Sequence, residues 1–358
     1  MKNIMKKFAS LALVTSLFVG TLAPTVMAAK PEDKGAQKTL TKTMQMKEGV
    51  NVKDSFTFDI EPTTDGPKVD TKEGAPQVEA APDGLVKLEK TTTDPKVYKD
   101  GDSETLNLVY DTTILQNAAP TKVGTTKIFR VKITERKGNR EGMIYDESVK
   151  YMDIYAWLIQ KGKITYLNYQ TVIYDKDGNK LKGLDFKNGY GKNPGNDPTP
   201  NDNVKELKVT KKLMEMDGKT QSEEEGPEFD VTIKIKGQVG DIFTFNNTPY
   251  EITDEEQGVE IKTTIKNKQT LTIDGLTDND TVEVYESEDI RKTYEVTGQL
   301  LTGKALNKIT DQTVTIINKQ ISPVPTGLLN TIAPFILIIG LAGGLGFVYF
   351  KKNKNELA

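Results

Sequence analysis

The sequence predicts an all-β protein built as two β-sandwiches in tandem, and three observations lead there. Segment after segment alternates apolar and polar residues with the period of two that half-buries a strand, and no long helical period interrupts them. Turn pairs such as Asp65-Gly66 and Asp100-Gly101 separate the β-rich pieces. A tract reading GYGKNPGNDPTPND, from Gly189 to Asp202, is rich in Gly, Pro and Asn, holds almost no apolar residue, and divides the chain in two.

Taken in order, the predicted strands of the first half are Thr39–Met46, Ser55–Ile60, Ile128–Glu135, Val149–Gln160, Lys163–Asp175 and Leu184–Asn188, with Lys161-Gly162 turning between the fourth and fifth. Those of the second half are Glu206–Met214, Glu228–Ile235, Asp241–Phe245, Gln269–Ile273, Thr281–Glu286 and Thr313–Asn318. Short strands joined by turns, in two runs, assemble as one sandwich each. The expected organisation is a leader at 1–28, a first domain at 29–190, a linker at 191–203, a second domain at 204–320 and a terminal signal at 321–358.

The two ends are targeting text. Lys2, Lys6 and Lys7 precede an apolar stretch from Phe8 to Val26 and the small residue Ala28, the form of a signal peptide cut after Ala28; a retained N-terminal helix is the weaker alternative, since Ala28 sits where a peptidase needs it. At the other end Val324-Pro325-Thr326-Gly327 precedes 19 uncharged residues, Ile332–Phe350, and then Lys351, Lys352 and Lys354. Such a span crosses a bilayer if slightly tilted, and the lysines hold its tail on the cytoplasmic side. The span alone fits an ordinary membrane anchor. The ordered triple of motif, span and basic tail resembles a Gram-positive cell-wall sorting signal, in which a sortase cuts between Thr and Gly, here Thr326 and Gly327, and hands the Thr carbonyl to an amine.

Composition narrows the chemistry. With no Cys and no His, disulfides, the usual Zn, Cu and haem sites and every His-dependent triad are excluded, and no cofactor is called for. Lys and Arg number 48 against 51 Asp and Glu, interspersed, which gives no field suited to nucleic acid. Asp175-x-Asp177-Gly178 hints at a calcium loop, but its Gly comes early and no Glu closes it, so it reads as a turn.

One polar constellation occurs twice. Lys42 shares the face of Leu40, Met44 and Met46; Lys211 shares that of Leu207, Val209 and Leu213. Glu135 follows Phe129, Val131 and Ile133 in phase, as Glu286 follows Val282 and Val284; Asn188 follows Leu184 and Phe186, as Asn318 follows Val314 and Ile316. Singly, each has a bland account: a snorkelling Lys, a solvated terminal Glu, a turn-forming Asn. Repeated in the same order in both halves, they form an inward Lys, Glu and Asn whose unpaired burial costs several kcal/mol per ion. Desolvation lowers a Lys pKa and raises that of Glu, so such a pair can exist as neutral amine and neutral acid. A neutral amine beside an Asn carbonyl can attack it while the acid polarises it, expelling ammonia and leaving an amide crosslink.

The residues LTK at 40–42, KITE at 132–135, DFKN at 185–188, KVTKK at 208–212 and TIINK at 315–319, together with VPTG, resemble the streptococcal T-antigen backbone pilins over nearly the whole chain. That resemblance implies collagen-adhesin B-type, immunoglobulin-like sandwiches carrying autocatalytic isopeptide bonds, Lys42 to Asn188 with Glu135 and Lys211 to Asn318 with Glu286. The second half departs at Tyr285, where the first has Thr134, away from that chemistry. Val324 stands where the usual sorting pattern has Leu, and no residue separates Pro325 from Thr326, which points to a pilus-specific, class C-type sortase. The resemblance further implies a surface linking lysine near the end of the first domain, Lys180 with Lys182 as alternate, and as partners identical subunits, minor or anchor pilins, wall peptidoglycan and, before sorting, the membrane. A wall-anchored adhesin or minor pilin at the fibre base or tip shares the export signals and is the rival reading; a surface enzyme is disfavoured by the missing His and Cys.

Overall fold

The eight residues Thr39–Met46 (β1) alternate between half-buried and buried at every position, so the period-two pattern becomes a pleated strand with Leu40, Lys42, Met44 and Met46 turned inward. The same rule forms the other principal strands of the first half: Asn51–Asp54 (β2), Phe58–Pro62 (β3), Ser103–Tyr110 (β4), Thr126–Glu135 (β5), Lys150–Lys161 (β6), Ile164–Asp175 (β7) and Leu184–Tyr190 (β8). In the second half they are Lys205–Met214 (β9), Phe229–Lys236 (β10), Asp241–Phe245 (β11), Val259–Ile265 (β12), Thr270–Leu276 (β13), Thr281–Glu286 (β14) and Thr313–Gln320 (β15). The computed structural model describes residues 30–68, 75–196 and 198–321. The leader, the VPTG motif, the apolar span and the basic tail lie outside them, and among the described residues no helix is long and apolar enough to cross a membrane.

The protein is all-β, two immunoglobulin-like sandwiches in tandem. In the first, a seven-stranded sheet containing β7-β6-β5-β3 faces a five-stranded sheet containing β8-β1-β4. In the second, a sheet containing β15-β9-β13-β11 faces the four-stranded sheet β12-β10-β14 plus Leu300–Ala305. Each sandwich closes by laying its last strand parallel to its first: β8 runs beside β1 with Lys42 opposite Phe186, and β15 beside β9 with Lys211 opposite Ile316. Each has its own apolar core, one built around residues such as Leu40, Phe58, Ile133 and Phe186, the other around Leu207, Ile233, Val284 and Ile316.

Several features depart from the sequence expectation. Strand β4 and strand β12 fall where no strand is expected, and Thr112–Ala118 is a short helix capped by Asp111, whose carboxylate accepts from the amides of Thr113 and Ile114. The Gly/Pro/Asn tract folds back on itself: the Asn193 amide donates to the Thr199 carbonyl at 2.7 Å, and the Gln45 side chain makes two hydrogen bonds to the Gly195 backbone. Gly189 permits that return, because a Cβ there would stand 1.9 Å from the Lys192 carbonyl oxygen. Arg130 and Asp153, both buried, form a bidentate pair between β5 and β6, and Val78–Ala80 pairs parallel with β5 at Arg130.

The sandwiches are stitched together. Strand β2, from the first half, pairs with β11 of the second, extending that sheet to eight strands. Arg140 locks the junction, its Nε 2.8 Å from Asp54 Oδ2 and its Nη1 2.6 Å from Asp241 Oδ1. Lys53 with Glu251 and Lys47 with Asp274 add ion pairs at 2.9 and 2.8 Å.

Candidate functional site: two buried Lys–Glu–Asn clusters

Both constellations expected from the sequence come together in space. In the first sandwich Lys42 lies on β1 and Asn188 on the adjacent β8, two residues beyond Phe186, the residue opposite Lys42. Glu135, the last residue of β5, reaches them from the facing sheet. Lys42 Nζ stands 2.7 Å from Glu135 Oε2, and Asn188 Nδ2 donates to Glu135 Oε1 at 2.5 Å. Lys42 and Asn188 are fully buried and Glu135 is 7% exposed. Asn188 Oδ1 accepts from the Asp146 amide at 2.7 Å.

The second cluster repeats this construction element for element. Lys211 on β9 faces Ile316, Asn318 lies two residues further along β15, and Glu286 is the last residue of β14 in the facing sheet. Asn318 Nδ2 donates to Glu286 Oε2 at 2.8 Å. Lys211 Nζ stands 2.6 Å from Glu286 Oε1, an ion-pair distance reached outside hydrogen-bond angles, so the contact is close but poorly aligned.

Burial sets the electrostatics. Desolvation, partly offset by the neighbouring carboxylate, brings the amines of Lys42 and Lys211 from an ordinary 10.5 down to about 8. The Glu135 carboxyl is pushed up by the same desolvation, against the pull of Lys42. The first site is therefore biased toward sharing one proton between amine and acid, and in both sites a carboxamide is held against the acid.

Two participants escape the sequence reading. Lys42 Nζ lies 4.4 Å above the Phe56 ring and Lys211 Nζ 4.1 Å above the Phe229 ring. The placement is again repeated: Phe56 stands two residues before Phe58, which pairs with Glu135, and Phe229 two before Val231, which pairs with Glu286. An aromatic at that offset was the available signal. The second is Lys150, buried beside the first cluster with its Nζ 3.7 Å from the Phe186 ring centroid and 2.6 Å from Ser148 Oγ.

Lys180 opens the two-residue strand Lys180–Leu181, pairing with Tyr174 of β7. Lys182, two residues on, borders an open cleft of about 440 Å³ with Tyr145, Asp146, Lys150, Asp185 and Lys187. Asp175 spends its carboxylate on its own turn, accepting from the amides of Asp177 and Asn179. Val324, Pro325, Thr326 and Gly327 fall outside the described residues.

Residues 205–320 match a family described as a domain of unknown function (DUF7601). No curated protein matches the chain. Among solved structures it is similar to the major pilin protein T-13 from Streptococcus pyogenes, at 16% identity and a TM-score of 0.46, covering 80% of this chain and 98% of that one. A second major pilin from Streptococcus pyogenes aligns at 17% identity and a TM-score of 0.49, over 81% of this chain and 100% of that one. The T3.2 major pilin of the same species aligns at 19% and 0.48, over 80% and 99%.

Proposed function

We propose that the chain is a structural shaft subunit of a covalently polymerised cell-surface pilus, crosslinked inside each sandwich by a Lys–Asn amide that the fold itself makes. The observation that carries this reading is the recurrence of an amine, a carboxyl and a carboxamide, in contact and out of water, at the seam between first and last strand of both sandwiches. Holding two unbonded ions there is costly, and a neutral amide removes that cost.

The chemistry follows from the contacts. With the shared proton on Glu135, the Lys42 amine is a free nucleophile and attacks Asn188 Cγ, forming a C–N bond and placing negative charge on Oδ1. Glu135 delivers its proton to Nδ2, to which it is already hydrogen-bonded, and as carboxylate takes one from the new ammonium. The Cγ–Nδ2 bond breaks, ammonia leaves, and a secondary amide remains. Glu286 plays the same part between Lys211 and Asn318. Each site turns over once.

Polymerisation in this reading uses VPTG: a pilus-specific sortase cuts after Thr326 and joins its carbonyl to Lys180 of the next subunit, Lys182 being the alternative acceptor. Residues 191–203 are the joint between domains at 29–190 and 204–320, and anchor pilins and peptidoglycan receive the finished fibre. The test is the intact mass of the exported body, which falls short of the sequence mass by two ammonias. A mass equal to the uncrosslinked sum refutes the internal bonds. Loss of a high-mass ladder in Lys180→Ala or Lys182→Ala identifies the acceptor; a ladder untouched by both, or a single wall-linked band in the wild type, refutes the shaft assignment.

A further inference from the structure

The two clusters share their Lys, Glu, Asn and Phe, but the surroundings of the carboxamide oxygen differ. Asn188 Oδ1 accepts the Asp146 amide at 2.7 Å, whereas Asn318 Oδ1, equally buried, accepts no hydrogen bond among the described residues. Resting on the crosslinking reading above, we infer that the Asp146 backbone N–H is an oxyanion donor for the first crosslink, that the second lacks its counterpart, and that the first bond therefore closes faster.

The difference has a visible origin in the backbone. In each sandwich a short edge strand runs antiparallel to the last strand. In the second it is Tyr294–Thr297, and its ladder continues past the reactive residue, with Val296 opposite Asn318 and Thr297 opposite Ile317. In the first it is Met143–Ile144, and its ladder stops at Ile144 opposite Gly189, one position short of Asn188. The chain then leaves the sheet. By register Asp146 occupies the place of Thr297, but instead of pairing it turns its amide onto the Asn188 side chain. The Asp146 carboxylate fixes that turn, accepting from the Lys187 amide at 2.8 Å and the Ser148 amide at 3.0 Å.

That amide does two things. An N–H only donates, so Oδ1 of Asn188 must face it and Nδ2 must face Glu135; the group that leaves as ammonia is held against the acid that protonates it. When Lys42 Nζ bonds to Cγ, the electron pair displaced onto Oδ1 lands where a donor already waits, in a site closed to bulk solvent. Loss of one such donor costs on the order of 100-fold in rate. Among the described residues neither service is available to Asn318, whose side chain makes one hydrogen bond there, to Glu286.

The experiment times both bonds in one molecule. The full chain is synthesised in a cell-free extract, samples are quenched in acidic denaturant, and each crosslinked peptide is quantified by mass spectrometry against time. In the wild type Lys42–Asn188 is expected to appear first. Replacing Asp146 by its α-hydroxy acid turns the amide N–H into an ester oxygen while keeping the side chain, and is expected to slow the first bond on the order of 100-fold, with the second unchanged as internal clock. An unaltered first bond in the ester chain, or a wild type in which the second bond closes first, overturns the inference; should the ester chain not fold, the wild-type order decides. Neither bond at any time overturns the crosslinking reading itself.

Discussion

Glu135→Ala removes the carboxyl that touches both Lys42 and Asn188, and its cost can be worked from the structure. On the crosslinking proposal the amide should not form without the proton carrier, and the intact mass should rise by one ammonia relative to the wild type. The lost crosslink would have closed a loop of roughly 150 residues, worth about 5 kcal/mol in the chain-entropy treatment of disulfides. The substitution also leaves Lys42 inside the sandwich without a counter-charge, a further loss of roughly 3–5 kcal/mol. Lys42→Ala also abolishes the bond but leaves Glu135 hydrogen-bonded to Asn188, and its raised pKa allows it to rest there as the acid. Glu135→Ala should therefore be the less stable of the two. The crosslink alone corresponds to a melting shift on the order of 10–20 °C for a sandwich of this size. A pH titration separates the two contributions. Burial takes Lys42 below its ordinary 10.5, to about 8, and removing Glu135 removes the charge that opposes this. Between the depressed value and 10.5 the folded variant binds fewer protons than the unfolded chain, so its stability rises with pH across that window. A crosslinked wild type would have no amine there to titrate. Calorimetry with parallel mass measurement decides: an unchanged mass, or a first transition within two or three degrees of the wild type, refutes the reasoning.

Other outcomes follow from the same contacts. Because Lys42 and Glu135 are both moved toward sharing one proton, the crosslinking rate of the first sandwich should be flat just below pH 8 and fall roughly tenfold per unit above it; a rate that climbs through pH 8 would mean the acid is not needed. Arg140→Ala strands the half-buried Asp54 and the buried Asp241 at the junction and should cost roughly 3–5 kcal/mol, seen as faster amide exchange in β2 and β11; exchange unchanged there would remove Arg140 as the lock. Asp280 is buried and held up to about 7 from 3.8 by desolvation. The folded state thus favours its protonated form and loses stability as pH rises from about 4 to 7, so Asp280→Asn should raise the melting temperature at pH 8 and have little effect at pH 4; equal shifts at both would contradict that assignment.

How much of this was legible in the sequence depends on the range of the interaction that carries it. Strands such as Phe229–Lys236 and Thr281–Glu286 announce themselves by alternation, a local signal, and so does the inward phase of Lys42, Glu135 and Asn188. Phe56 and Phe229 were hidden because an aromatic beside a strand reads as ordinary core until its register against the Glu strand is known. The pairing of β2 with β11 joins edges nearly 200 residues apart, and nothing in Asn51–Asp54 encodes its partner. The Asp146 amide has no sequence signature at all, since every residue but proline carries one; only the point at which a ladder stops makes it a donor.

The parallel seam between first and last strand has a mechanical meaning. A pull that enters the second sandwich at Lys205 and leaves at Gln320 loads β9 and β15 in opposite directions along their length, so noncovalent resistance would be shear across the whole ladder. With Lys211 bonded to Asn318, tension instead travels the start of β9, crosses one amide, and departs down the last turn of pleat in β15. The stressed path is roughly ten residues, about 33 Å of extended chain. Drawn out at constant force, the crosslinked sandwich should lengthen no further than that path allows, and a longer step would exclude the bond from the line of load. Everything between Lys212 and Ile317, the entire β10-β12-β14 sheet with its loops, hangs from that line as slack. If the bond forms, those surfaces would be released from bearing strength, and the outward face of the proposed fibre could change its residues without weakening its tether.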